Sequence, residues 1–351
     1  MSKRASVLAV ALWSLCLLST FAVYLGFGVR QKLILVSRLD TRERLRFIAS
    51  AGIKMAILEL RRKDGNSGFD GLNESWGNNK ELFDHASVGE GTFTVAHEPL
   101  YMESTFNQKR YGAVDEERKI NINTVKRPVL EKLLELVAGL DESEAQDLSA
   151  TIVDWRDKDS QLSTPLGSAE DSYYQELRDS YEAKDDDFEV PNELFLVKGI
   201  TRETFEAIKD YITIYGSGQI NINTASAKVL EALGLYRSVI DKILFFRCGQ
   251  DKLEATVDDN VFTSSASIVP QLSQLVALGE GEIANLSNMI ASGIITTSST
   301  NFMIKSTGEL SDTGESLQIV CVFERPTFLT RPLTGEIDAR GKIRYWQEKT
   351  D

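Results

Sequence analysis

A chain of 351 residues with 42% hydrophobic residues is long enough for about two domains and a sizeable buried core, which excludes a disordered protein. Its 39 Lys and Arg against 52 Asp and Glu leave a net charge of −13. That balance argues against nucleic acid and anionic lipid as partners, because neutralising phosphates supplies most of such affinity. Two histidines, His85 and His97, and three cysteines, Cys16, Cys248 and Cys321, offer no CxxC pair and no His/Cys cluster, so a structural zinc site lacks material.

From Ala5 to Val29 no charge interrupts 25 residues, with Lys3 and Arg4 before them and Arg30 and Lys32 after. About 20 apolar helical residues span a bilayer, whereas the apolar core of a cleaved secretory signal runs to about 15. The stretch therefore predicts a membrane anchor. Beyond it, Val36, Leu39, Ile48, Ala51, Met55 and Leu58 recur at spacings compatible with one helical face. The first proline is Pro99, so the helix is expected to run to about Arg62, where Asp64, Gly65 and Asn66 stop it.

A Gly/Asn/Ser-rich link from Asp64 to Asn79 leads to Thr92, Phe93, Thr94 and Val95, then Tyr101 and Met102, which read as short strands. A second strand region closes the chain: Phe302 to Ile304, Leu317 to Phe323, and Ile343 to Trp346. Between them, from about Val125 to Ile290, the pattern is helical, which predicts an α+β head carrying a large α insertion.

The insertion contains a repeat offset by 100 residues, KININTVKRPVLEKLLEL at 119 and QININTASAKVLEALGL at 219. In each copy Thr124 or Thr224 is a candidate N-cap, and Pro128 belongs in the first helical turn. Val197, Lys198, Gly199 and Ile200 before a helix expected over Thr204 to Ile212 resemble a helix-hairpin-helix module. Such modules grip DNA phosphates through a glycine hairpin and nearby lysines. The surrounding negative charge favours a packing unit reused for protein contacts.

From Asp141 to Glu189 there are 16 acidic and 4 basic residues, so the acid is concentrated. Within it, Asp154, Asp157 and Asp159 end a helix, and Glu170 and Asp171 follow a loop with Pro165 and Gly167. Carboxylates gathered by a Gly/Pro loop supply the hard oxygen ligands that Ca²⁺ takes. The competing reading is a solvated acidic face. An EF-hand is excluded, because counting from Asp159 puts Thr164 where that loop requires glycine. Asp185, Asp186, Asp187 and Glu189 are further candidates. No catalytic centre is expected: neither histidine stands near a nucleophile motif, and Asp154 with Glu170 lacks the aromatic groove of a glycosidase. Cys248 and Cys321 are the one pair available for a disulfide if the head is exported.

Together, the N-terminal helix, DEERKININT, IVDWRDKD, GSAEDSYY, VPNELFLVKGIT, QININTA and NFMIKSTGEL resemble the minor pseudopilin K family of type II secretion systems. The resemblance implies a pilin-like fold: a long N-terminal helix and a small antiparallel sheet, with a large helix-hairpin-helix-like α domain inserted. The implied parts are a leader at 1–5, the helix at 6–63, a first part of the head at 64–119, the α domain at 120–295 and closing strands at 296–351. It further implies a bacterial inner-membrane protein with a periplasmic head, cut by prepilin peptidase between Ala5 and Ser6, Ala5 departing from the usual glycine. The implied role is the tip of a pseudopilus, with minor pseudopilins I and J and other pseudopilins as partners. Val10 stands where most pilins carry glutamate, and a buried carboxylate in lipid is costly unless an ammonium faces it. The resemblance also implies calcium in the α domain, with Asp154, Asp157, Asp159, Glu170 and Asp171 as candidate ligands. The alternative is a membrane-anchored helix-hairpin-helix DNA-binding protein of a competence type, which a basic stripe would mark.

Overall fold

The computed structural model describes residues 3–62, 68–99, 109–164, 167–326 and 341–350. Helix α1 (Lys3–Arg62) runs for 60 residues, about 90 Å at 1.5 Å per residue. It contains one stretch long and apolar enough to cross a membrane. Among its described side chains only the C-terminal ones are covered: Leu45, Ile48, Ala49, Ile53, Ala56 and Leu60 are buried, while Val36, Leu39 and Leu58 are exposed. The buried stripe thus differs from the expected one, because the sheet meets the helix only from about Leu45 onward.

After α2 (Lys80–Phe83), strands β1 (Ala86–Val88), β2 (Gly91–Val95) and the short β3 (Val114–Asp115) precede the insertion. It contains, in chain order, β4 (Ile120–Asn121), α3 (Arg127–Leu133), α4 (Glu142–Arg156), α5 (Asp171–Gln175), α6 (Arg202–Ile208), β5 (Ile212–Thr213), β6 (Ile220–Asn221), α7 (Ala227–Ala232), α8 (Arg237–Arg247), α9 (Ile268–Leu275), α10 (Glu280–Ala291) and β7 (Ile295–Thr296). The chain then returns as β8 (Asn301–Leu310), β9 (Ser316–Glu324) and β10 (Lys342–Thr350). The main sheet has the order β1-β2-β8-β9-β10, with β3 also on β8, and every pair in it is antiparallel. Pairing Gly91 with Leu310 and Val95 with Ser306 closes the pilin-like sheet across the whole insertion. The segment holding Tyr101 and Met102 lies outside the described residues.

Close approach of α1 to the sheet depends on glycine. A Cβ built on Gly308 would lie 2.7 Å from the Ala49 nitrogen and 2.8 Å from the Leu45 carbonyl oxygen, both backbone atoms of the helix. Gly308→Ala is therefore expected to push α1 off β8 and lower stability by about 1–2 kcal/mol, as overpacking does. Urea unfolding of the full-length protein checks it; an unchanged midpoint would mean the helix shifts at no cost.

The described residues form two apolar cores. One lies between α1 and the sheet, with Phe83, Phe93, Trp76, Phe302, Ile304, Leu317 and Ile319. The other fills the α insertion, from Ile120 and Leu130 through Tyr174, Val239 and Ile243 to Ile295. Within the second, the two repeat copies play equivalent roles. In the first, β4 pairs in parallel with β5; in the second, β6 pairs in parallel with β7. The Asn123 side chain donates to the Phe188 carbonyl (3.0 Å) and accepts from its N–H (2.8 Å). Asn223 does the same with Phe262, at 2.9 and 2.8 Å. These asparagines satisfy buried backbone groups of loops that have no ladder partner, which is why the pattern demands an amide there.

Three local expectations need correction. Thr124 and Thr224 are not N-caps: their N–H groups donate to the Asn121 and Asn221 carbonyls in a turn, and the caps are Lys126 and Ser226. The helix expected over Thr204 to Ile212 ends at Ile208, because Ile212 is needed in β5 beside Ile120. Cys248 and Cys321 are both free: Cys321 is buried in the sheet core and Cys248 caps α8 in the insertion. Pro128 does sit in the first turn of α3.

The two cores are joined by the buried run Asp115 to Lys119. Asp115 Oδ2 accepts from Asn221 Nδ2 (3.1 Å) and Thr224 Oγ1 (2.5 Å) of the second repeat, and from Ser299 Oγ (2.7 Å) ahead of β8. Glu116 accepts from Thr213 Oγ1 (2.6 Å) of β5 and pairs with Lys119 at 2.5 Å. Glu117 accepts from Thr300 Oγ1 (2.7 Å) and from the Asn301 N–H (3.0 Å). Asp70 adds an ion pair with Arg325 at 2.7 Å. A second clasp sets Glu254 between Arg247 (2.5 Å) and Arg110 (3.2 Å).

Candidate metal site

Helix α4 starts at a capping box, Asp141 accepting from the Glu144 N–H while Glu144 accepts from the Asp141 N–H. It ends at Asp157, whose N–H still reaches the Val153 carbonyl. Asp159 lies just beyond, its Oδ1 accepting from the Gln161 N–H at 2.8 Å, so the chain turns sharply and brings Glu170, the N-cap of α5, back over the helix end.

Of the five predicted ligands the structure brings three together. One carboxylate oxygen each of Asp157, Asp159 and Glu170 lies within 4.8 Å of the others. Asp154 is fully buried beside them, and both its oxygens accept from the Ser163 N–H at 3.2 Å. Asp171 Oδ1 accepts from the Ala183 N–H at 2.8 Å. Asp154 holds the loop over the site and Asp171 ties α5 to the irregular segment at Ala183. Ala5 and Ser6 fall at the start of α1, and their side chains lie outside the described residues.

The trio is electrostatically unbalanced. Burial pushes the Glu170 carboxyl up to about 7, with the negative charges of Asp154, Asp157, Asp185 and Asp171 adding to it. Asp157 is raised by burial and then by Asp159 and Asp154. Asp157 Oδ1, Glu170 Oε1 and Thr164 Oγ1 are buried without a hydrogen-bond partner. Native proteins rarely leave such atoms unmatched. Three close carboxylates, two of them with an orphaned oxygen and all of hard-donor type, fit a Ca²⁺ ion and do not suit zinc.

A second acidic group, Asp251, Asp258 and Asp259, is equally close and was missed in the sequence, although DD seven residues after Asp251 was the available signal. Its chemistry differs. Asp258 accepts from the Gln250 N–H (2.7 Å), the Asp251 N–H (3.1 Å) and Thr256 Oγ1 (2.8 Å), and these bonds hold it down to about 2. Asp259, pushed up to about 6 by burial, accepts from Ala255 N–H and Thr256 Oγ1. These carboxylates staple their own loop.

The hairpin at Val197 to Ile200 keeps the predicted shape, with Gly199 at φ +85°, where a side chain would be strained. Its lysine is not presented for phosphate: Lys198 Nζ donates to the Gly167 and Ser168 carbonyls at 3.0 and 3.2 Å. With the repeat asparagines spent on backbone groups as well, the module serves packing.

Residues 107–217 match the family model described as Type II secretion system (T2SS), protein K. Among curated relatives, the type II secretion system protein K of Aeromonas hydrophila is 29% identical over 104 residues, 30% of this chain. The match spans 31% of that relative's length. Among solved structures, a chain in the crystal structure of the GspK-GspI-GspJ complex of the enterotoxigenic Escherichia coli type 2 secretion system superposes with a TM-score of 0.64. The superposition covers 90% of this chain and 99% of that one at 15% identity, a likeness of fold.

Proposed function

We propose that this chain, which belongs to the type II secretion system protein K family, serves as a minor pseudopilin at the tip of a periplasmic pseudopilus. In this reading it helps to initiate pseudopilus assembly for export of folded proteins. The observation that carries the proposal is the architecture: an apolar helix whose residues 10–40 are exposed, packed further along on a sheet, with a helical domain inserted between β3 and β8. A long helix with an exposed apolar half suits a bundle of neighbouring subunits' helices, and before assembly it suits a bilayer. The family match over 107–217 supports the assignment of the insertion. The partners are minor pseudopilins I and J and other pseudopilins, the anchor crosses the inner membrane once, and prepilin peptidase removes the leader. The acidic trio holds a structural Ca²⁺.

Two measurements test the reading. Intact mass of the membrane-extracted protein is expected to show loss of Met1 to Ala5, leaving Ser6 first and the apolar helix attached. A mature start beyond about residue 25 would mean that the helix had been discarded as a secretory signal, and the tip assignment would fail. Copurification with the neighbouring pseudopilins of its own system is the direct test of partnership.

A further inference from the structure

The hairpin that looks built for phosphate borders a pocket of 330 Å³ whose other wall is acidic. Its size lies at the low end for ligand sites, so it admits one long side chain more readily than a cofactor. On the hairpin side, an anion would find little. Lys198 is committed to two carbonyls and lies over the Tyr173 ring at 4.9 Å, and Thr201 Oγ1 accepts from the Thr204 N–H at 3.1 Å.

Facing the hairpin, Glu144 and Asp147 stand one turn apart on α4. Glu144 places one oxygen on the Asp141 N–H. The Asp147 carboxylate has no hydrogen-bond or ion-pair partner among the described residues. Glycine keeps it in position: a Cβ on Gly167 would lie 1.7 Å from Asp147 Oδ1. The remaining lining includes Leu140 and the buried Leu148, an apolar surface suited to a methylene stem. The stretch around the pocket carries 16 acidic and 4 basic residues between 141 and 189, a field that draws cations inward.

We propose that this pocket receives a lysine or arginine side chain of a protein that docks on the α domain, its stem on Leu140 and Leu148 and its charged head at Asp147 and Glu144. The helix-hairpin-helix geometry is thereby turned from anion to cation recognition. The inference concerns Asp147 and Glu144, which lie outside the metal trio, and it does not depend on calcium.

The test uses full-length protein in phosphatidylcholine nanodiscs and saturation-transfer NMR with N-acetyl-arginine amide. The side-chain methylenes of the probe are expected to receive saturation, and N-acetyl-citrulline amide, which is neutral and of the same shape, to receive at least fivefold less. Asp147→Asn should reduce the arginine signal about as much. Gly167→Ala, which displaces the same carboxylate, should reduce it too, and Asp241→Asn on α8 should leave it unchanged. The melting temperature of Asp147→Asn is expected to equal the parent's, which separates loss of the site from loss of the fold. Equal binding of citrulline and arginine, an unaltered signal in Asp147→Asn, or displacement of the arginine probe by inorganic phosphate overturns the proposal.

Discussion

Asp115→Ala is expected to be the most damaging single substitution in the head, lowering stability by roughly 3–5 kcal/mol. Three side-chain donors converge on one oxygen of this carboxylate, from Asn221, Thr224 and Ser299, all buried. A hydrogen bond is worth about 0.5–1.5 kcal/mol, and each donor stranded in the interior bears a desolvation cost of about 1–3 kcal/mol besides. Asn221 retains the Asp70 carbonyl and Thr224 can turn toward the Asn221 carbonyl, so the sum falls short of three full bonds. Because the donors come from the second repeat and from the entry to β8, their loss also uncouples the α core from the sheet core. Calorimetry of the variant should show two transitions where the parent shows one. A single transition at the parental temperature would remove Asp115 from the role of joint.

Asp115→Asn separates charge from shape. Burial, and after it Glu117 and Asp70, push the Asp115 carboxyl up to about 8. A folded-state value raised above the unfolded one contributes stability that is fully present below the unfolded value and lost as pH rises through the folded value. The parent's joint should therefore weaken as pH rises from about 4 toward 8, and the amide variant should not share that slope.

The long helix was legible because 25 uncharged residues admit few other readings, and the insertion because its repeat is nearly literal. What the repeat was for was not legible. INxNT reads equally as a capping signal, a phosphate-binding turn or a backbone staple, and only the positions of Phe188 and Phe262, 65 and 39 residues downstream, decide for the staple. The missed caps have the same origin: Thr124 and Thr224 have good capping chemistry, but turns closed on the Asn121 and Asn221 carbonyls come first. For the candidate metal site, residue type and loop chemistry pointed to five carboxylates. Which of them converge depends on where the Ser163 and Ala183 N–H groups fall, since those claim Asp154 and Asp171. The Asp115 hub left no periodic signal, since its partners lie 106 to 184 residues away.

Calcium is expected to raise the melting temperature of the full-length protein, and a chelator to reverse the rise. An ion that binds only the folded state adds about 2.7 kcal/mol when present at 100 times its dissociation constant. The pH dependence distinguishes this site from general screening. In the metal-free chain the Glu170 carboxyl is raised to about 7 by burial and by the neighbouring Asp154 and Asp157, so its protonated form stabilises the fold below the unfolded value of 4.5 and that contribution is lost as pH rises through about 7. Calcium must replace the same proton. Its stabilising increment should accordingly be small at pH 5.5 and largest above pH 7.5. In the double variant Asp157→Asn with Glu170→Gln, the mutual repulsion is gone along with the ligands. Its metal-free melting temperature should match or exceed that of the metal-free parent at pH 7.5, while its response to calcium disappears. Thermal melts at the two pH values, with calcium and with chelator, decide the matter. A calcium increment that is equal at both pH values, or one that survives the double substitution, would place the ion elsewhere and leave Asp157, Asp159 and Glu170 as a solvated acidic face.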